Sequence, residues 1–495
     1  MAWRYAFSIS GVLIPISLLY TYYRYKFGYF ERRGIPHIKA DINIFLKQPT
    51  KDLLQSAYNT FQNSTPIAGV FLSTTPVLVI LDLELVKRVL VDDFASFSDR
   101  LNLENSSDLL HATDNKQWQA IRRKLTPCFW SAKMNLIFAN VCKAAENFLD
   151  NSEEFLRSVE VDFKPLCTRY AANALMRCVF GLELDNADES TMTLHLRIKD
   201  LLKRECEARL SANDNNMLPG VCCIKRTHAQ TVSAESFSVE LETLLFAAVE
   251  ERSEGSPQHS DLIQILINLL AAEQSDSAVV NRRECVFQAI HLVTQSLSTL
   301  LSGFAHSANI LMHCLNELAR NDEVQLALRQ NITSVLQSYA QDFSYEAMGH
   351  MHYLDQVVAE ALRKHPVAEA LSRLSLHDYH IPGTALTIER NTCVLVPVQA
   401  IHYDPNIYPV PAQFDPSRFD AATVMARHTC AYLPFDDGPR NCMGKRLSKM
   451  LIKVALVKLL HVRRLKEIAR VERESVNEEN FRMDTNEFRI KLQSL

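Results

Sequence analysis

No pair of cysteines in this 495-residue chain stands as C-x-x-C, and its twelve cysteines form no regular framework. That pattern suits a reducing compartment better than a disulfide-built secreted scaffold. Glycine (12) and proline (18) are too few for collagen-like or disordered sequence. There is no basic excess either: the net charge is −4, which gives no argument for a nucleic-acid partner. Internal repeats and low-complexity tracts are also missing. What the chain does have is apolar residues, 47% of the total, enough for a large core in one large domain or two.

Two stretches lack charge altogether. The first is "YAFSISGVLIPISLLYTYY", Tyr5 to Tyr23, about the length that crosses a bilayer as a helix. Tyr5, Tyr20, Tyr22 and Tyr23 near its ends fit an interfacial aromatic belt. Only Arg4 precedes it, whereas Arg24, Lys26, Arg32 and Arg33 follow, so the positive-inside bias leaves the bulk of the chain in the cytosol. Tyrosines and bases follow the run instead of a small-residue cleavage site, which argues against a removed signal peptide. Residues 1–24 are therefore expected to be a membrane anchor and 25–37 a basic hinge, with 38–495 forming the main domain. In that orientation the sequons at Asn63, Asn105 and Asn331 stay unmodified.

The second stretch runs from Cys285 to Asn316 and contains "LSGFAHSAN", Leu301 to Asn309. A histidine, His306, halfway along so uncharged a helix calls for an explanation. Around it, residues 67–90 read as a hairpin followed by a helix, and 115–350 as mainly helical, interrupted by the polar stretch Ser211 to Gly220. Short strands are expected over 376–400, then a Pro- and Asp-rich loop over 403–441, a last helix from near Met443, and short closing strands. The fold class is mainly α, an α+β arrangement with small sheets.

Among the cysteines, Cys442 stands apart, in "LPFDDGPRNCMG". Gly438-Pro439 marks a turn, Arg440 precedes the cysteine by two residues, and a helical pattern begins at Lys445. A cysteine at a helix N-terminus feels the positive end of the helix dipole and meets backbone N–H groups. Both favour the thiolate, the form that binds a metal.

The spacing Phe435, Gly438, Arg440, Cys442, Gly444 resembles the haem-binding loop of the cytochrome P-450 monooxygenases. The resemblance implies a P-450-like helical haem domain over 38–495, with haem b (iron protoporphyrin) ligated by the Cys442 thiolate. It implies that Phe435 shields the thiolate and that Arg440 pairs with a haem propionate. Gly438 and Gly444 would let the backbone approach the porphyrin. "EALR" and "PSRF" resemble the family's buried cluster, with Glu360, Arg363 and Arg418 as its members. Trp118 and Arg122 in "QWQAIRRKL", together with Arg373, match further propionate-binding positions. "AIHYDP" matches the loop before the PSRF segment. "KLTPCF", "YLDQVVAEALRKHP" and "DYHIPGT" are closest to microsomal insect-type members.

Aligned from "LNELARN", the family's oxygen-side helix falls on Ser302, Gly303, Phe304, Ala305 and His306. Gly303 keeps the position that opens space over the haem. Alanine replaces the acid and His306 the threonine of the family's proton relay. Without a relay, O–O cleavage is expected to give way to peroxide release. His306 has three readings at this point: a substitute donor or relay, a structural side chain bonded to a backbone carbonyl or to Ser302, or a sixth iron ligand. Ser307 supplies a hydroxyl if the register shifts slightly.

The resemblance further implies a lipophilic small-molecule substrate drawn from the membrane. Its walls would come from about 100–117, 205–235, 295–307, 367–372 and 480–486. The expected electron donor is the NADPH-dependent cytochrome P-450 reductase, with cytochrome b5 as a second donor. Lys445, Lys449 and Lys453, with Arg123 and Lys124, would form a basic face for it. The location implied is the endoplasmic reticulum membrane, with the catalytic domain on the cytosolic face. Two other readings stay open on sequence alone because Ala305–His306 replaces the acid–threonine pair. One is haem-thiolate isomerase or dehydratase chemistry. The other is a non-enzymatic haem protein that binds a ligand.

Overall fold

The computed structural model describes residues 20–39, 50–72, 75–100, 115–156, 161–182, 246, 260–273, 282–467 and 489–494. Among them the long amphipathic segments became helices: Ser131–Leu156, Phe163–Leu175, Leu262–Glu273, Arg282–Gln295, Leu297–Arg320, Asp322–Ser338, His352–Lys364 and Lys445–Val462. Helix Leu297–Arg320 is central. It packs on Phe163–Leu175, His352–Lys364 and Lys445–Val462, and their apolar faces form one core with Leu311, Leu315, Val357, Met450 and Val454 inside it. Burial of such faces, rather than intrinsic helix propensity, carries most of the stability of these elements.

A second core lies under a four-stranded sheet. Strands Ile67–Leu72 and Thr75–Ile80 form the expected hairpin. Thr75–Ile80 then pairs in parallel with Cys393–Val396, which pairs antiparallel with Leu371–Leu374. The Cys393–Val396 strand is buried at every position, as an inner strand covered on both faces should be. Val161–Asp162, Arg489–Ser494 and Arg463–Glu467 form a small second sheet. The architecture is thus mainly helical with small sheets.

Three expectations need revision or fall outside the described residues. The polar stretch 211–220 and most of the anchor lie outside the described residues. Residues 20–27 are helical, and among the described residues no helix is long and apolar enough to cross a membrane. The stretch 25–37, expected as a hinge, is docked instead. Phe30 is fully buried against Gly69 and Phe71, Gly69 N–H donates to the Pro36 carbonyl at 2.7 Å, and Arg33 pairs with Glu389 at 2.8 Å. Three bases mark this stretch, but the buried Phe30 and Ile35 decide where it sits.

Candidate functional site

The loop around Cys442 is shaped by its own backbone. Cys442 N–H donates to the Phe435 carbonyl at 2.8 Å, closing a turn through the short 3-10 segment Gly438–Arg440. Gly438 is required there on two grounds. Its φ of +73° favours glycine, and a Cβ would run into the Leu90 carbonyl. Gly444 and Gly303 differ: a Cβ at either would meet nothing within 4 Å, so both border open space.

Helix Lys445–Val462 starts where the sequence places it, three residues after Cys442 with Gly444 as its cap. The expected thiolate bias is nevertheless outweighed by another effect. Cys442 is exposed, yet protein surrounds it closely enough that burial pushes its thiol up. The Gly444 N–H, Arg122, Lys445 and Arg100 pull the other way without winning.

Four guanidinium groups converge beside that loop. Arg122 donates to the Asn441 carbonyl and to Asn441 Oδ1, both at 2.7 Å. Arg373, fully buried, donates to both oxygens of Asp436 at 2.8 Å. Arg100 donates to Asp436 at 2.9 Å and to the Arg440 carbonyl at 3.2 Å. Arg440 stacks over the buried Trp118 ring at 4.2 Å. None of the three buried guanidinium nitrogens of Arg440 has a hydrogen-bond partner. Burial, Arg100 and Arg373 push its pKa down to about 10. Buried charges without partners are costly, so this cradle fits an anionic group with carboxylates. The two propionates of a porphyrin facing an accessible cysteine meet that description. Trp118, Arg122, Arg373 and Arg440 are thus brought together. Arg100, Asn441 and Asp436 were not legible, because no local pattern links Arg100 to a loop more than 300 residues later.

Behind the loop lies a second polar centre. Glu360 and Arg363, both fully buried, pair at 2.7 Å, and Arg418 approaches Glu360 at 3.5 Å. Arg363 also donates to the carbonyls of His402 and Pro411, each at 2.8 Å. His402 returns the contact: its Nδ1 lies 3.1 Å from the Arg363 carbonyl, and its Nε2 accepts the Leu433 N–H at 2.9 Å. This geometry fixes the Nδ1–H tautomer, and burial pushes the His402 pKa down to about 3. The cluster is therefore wired to the start of the cysteine loop.

On helix Leu297–Arg320, Gly303 is exposed, His306 is half-buried one turn later, and Ala305 is buried. Ser307 is buried; its hydroxyl donates to the Gly303 carbonyl at 2.7 Å and lies 2.8 Å from Ser448 Oγ. His313 stacks on His365 at 4.1 Å, and Glu317 pairs with Lys364 and His365, so these groups serve another interface. His306 is left as the titratable side chain next to Gly303. Of the expected substrate walls, 101–114, 205–235 and 480–486 lie outside the described residues.

The basic face is smaller than expected. Arg123, Lys124 and Lys445 are exposed, and Lys449 is half-buried. Lys453 is buried and held by Asp355 at 3.0 Å and the Met348 carbonyl at 3.1 Å. Each i,i+4 step advances about 40° around a helix, so the third lysine of the stripe has rotated into the core.

The model of the family described as Cytochrome P450 matches residues 40–492. "Probable cytochrome P450 6a14" of Drosophila melanogaster is 32% identical over 477 residues, covering 92% of each chain. "Cytochrome P450 6A1" of Musca domestica is 31% identical over 463 residues, 90% of this chain and 89% of that one. "Cytochrome P450 6B1" of Papilio polyxenes is 30% identical over 470 residues, 91% and 92% of the two chains.

Proposed function

The chain belongs to the cytochrome P450 family, and from that premise we propose that it is a microsomal enzyme oxidising a lipophilic small molecule, with Cys442 as its haem ligand. Membership makes it a monooxygenase and a binder of haem b through a cysteine thiolate.

Haem, when bound, supplies the iron at which dioxygen is activated. The chain's own residues do the rest. Cys442 donates the thiolate, and Phe435, packed on the helical core, keeps water from it. Arg440, with Trp118 beneath its guanidinium, would be the main hold on the carboxylates, and Arg122 and Arg373 would add positive charge beside it. Gly438 sets the loop, and Gly444 and Gly303 leave room for the ring. His306 donates a hydrogen bond or passes a proton beside Gly303, in place of the absent acid–alcohol pair. Ser307 contributes indirectly, by tying Gly303 to Ser448. The observation that carries this reading is the buried, partnerless Arg440 guanidinium beside an accessible cysteine.

Electrons come from the membrane-bound NADPH-dependent reductase, with cytochrome b5 as a second donor. Arg123, Lys124 and Lys445 offer the exposed positive charge for that contact. Residues 1–24 anchor the chain in the endoplasmic reticulum, with the domain on the cytosolic side. The exposed Tyr20, Tyr22 and Tyr25 beside Arg24 and Lys26 support an interfacial position for the end of that segment.

The test is reconstitution with the reductase and NADPH over a panel of lipophilic probes. Oxidised product and peroxide are measured per NADPH consumed, for wild type and His306→Ala. The wild type is expected to make product and the variant to divert towards peroxide. Equal product from both would make His306 structural, and peroxide alone from both would remove the proposed substrate class.

A further inference from the structure

Asp436 is a residue whose backbone and side chain are both committed to one task. Its φ is +63°, a left-handed conformation that Asp and Asn tolerate better than other non-glycine residues. Its side chain is 6% exposed. From that position both carboxylate oxygens reach Nη2 of Arg373 at 2.8 Å, and one reaches Nη2 of Arg100 at 2.9 Å. Oδ1 also accepts the Asp437 N–H at 2.8 Å.

The four arginines of the cradle are therefore not equivalent. Two are bound to a carboxylate of the chain itself, and Arg122 is bound to the neutral Asn441. Arg440 alone among the four has all three guanidinium nitrogens without a partner. Mutual repulsion is also built in, because the four guanidiniums converge beside one loop. An internal anion relieves that repulsion, but it takes up donors that would otherwise serve a ligand's carboxylate.

We propose that Asp436 sets the charge of the cofactor cradle: by occupying Arg100 and Arg373 it leaves Arg440 as the principal grip on the haem carboxylates and places a fixed negative charge beside the haem. This rests on the reading of Cys442 as the haem ligand. Two consequences follow from electrostatics alone. Haem is held less tightly than four free guanidiniums would hold it, and a negative charge near the iron disfavours its reduction.

The experiment uses the full chain loaded with haem and compares wild type, Asp436→Asn and Asp436→Gly. Asn removes the charge and keeps an acceptor for the Asp437 N–H, and both residues accept the left-handed backbone. Haem transfer to excess apomyoglobin gives the dissociation rate, and spectroelectrochemistry gives the midpoint potential. Both variants are expected to lose haem about tenfold more slowly, the order of one charge-assisted contact. Their potentials are expected to move positive, with the thiolate spectrum unchanged. Arg440→Gln is expected to speed haem loss more than Arg100→Gln. Unchanged potentials, or haem lost as fast as from wild type or faster, would make Asp436 a prop for the arginines and overturn the proposal. A wild type that binds no haem with a thiolate spectrum would instead remove the premise, a failure distinguishable from the first.

Discussion

The Leu433 N–H donates to Nε2 of His402 across 2.9 Å of buried space, and the other ring nitrogen of His402 meets the Arg363 carbonyl. One imidazole thus couples the Glu360–Arg363 pair to the first residue of the cysteine loop. His402→Phe is expected to cost about 2–4 kcal/mol, because two buried backbone groups lose their partners. Urea unfolding of the two proteins measures it.

The same histidine gives an acid dependence. Its folded pKa, about 3, lies below the unfolded value of 6.5. Between these values the unfolded chain binds the extra proton, so stability rises with pH across that window. The contribution is fully present above the unfolded pKa and is lost as pH falls towards 3, on the order of 5 kcal/mol in all. Unfolding free energies between about pH 4 and 7 should fall with acid in the wild type and be flatter in His402→Phe.

Glu360 sits fully buried between Arg363 and Arg418, and also accepts the Asp415 N–H at 3.0 Å. Glu360→Gln leaves two buried guanidiniums facing a neutral amide, and a loss of about 3–5 kcal/mol is expected. Thermal unfolding with and without haem reads it; an unchanged melting temperature would contradict the role given to the cluster.

Gly438 and Gly444 should respond in opposite ways to alanine. Gly438→Ala meets the Leu90 carbonyl with a positive φ, and about 2–3 kcal/mol or more of stability is expected to be lost. Gly444→Ala enters open space and is expected to leave the unfolding of the haem-free chain unchanged while weakening haem binding. Haem titration beside chemical denaturation separates the two.

The docked segment before the sheet rests on Phe30 rather than on its charges. Phe30→Ala is expected to cost about 3–5 kcal/mol, through the cavity it leaves against Gly69 and Phe71. The Arg33–Glu389 pair, with side chains 31% and 47% exposed, should contribute less than about 1 kcal/mol in a double-mutant cycle.

Contiguous patterns were the legible part of this chain. The hairpin at 67–80, the central helix and the Cys442 loop each carry their signal within a few residues, and Glu360–Arg363 lies on a single helical face. Arg100, Asp436 and His402 draw their importance from partners brought together by folding, which no local window contains. Lys453 shows a related limit: regular i,i+4 spacing identifies a stripe, but the rotation that buries its third member depends on what packs against the helix. Cys442 shows another. The sequence placed a helix start beside it, while the burial that raises its pKa is set by packing, which a local pattern does not report.

The central claim is that Cys442 holds haem through its sulfur. The most direct test is the optical spectrum of the purified, reduced chain with carbon monoxide, for wild type and Cys442→Ala. The wild type should show the long-wavelength Soret band of thiolate-ligated haem, and the variant should lose it. Retention of that band without the Cys442 sulfur would contradict the account.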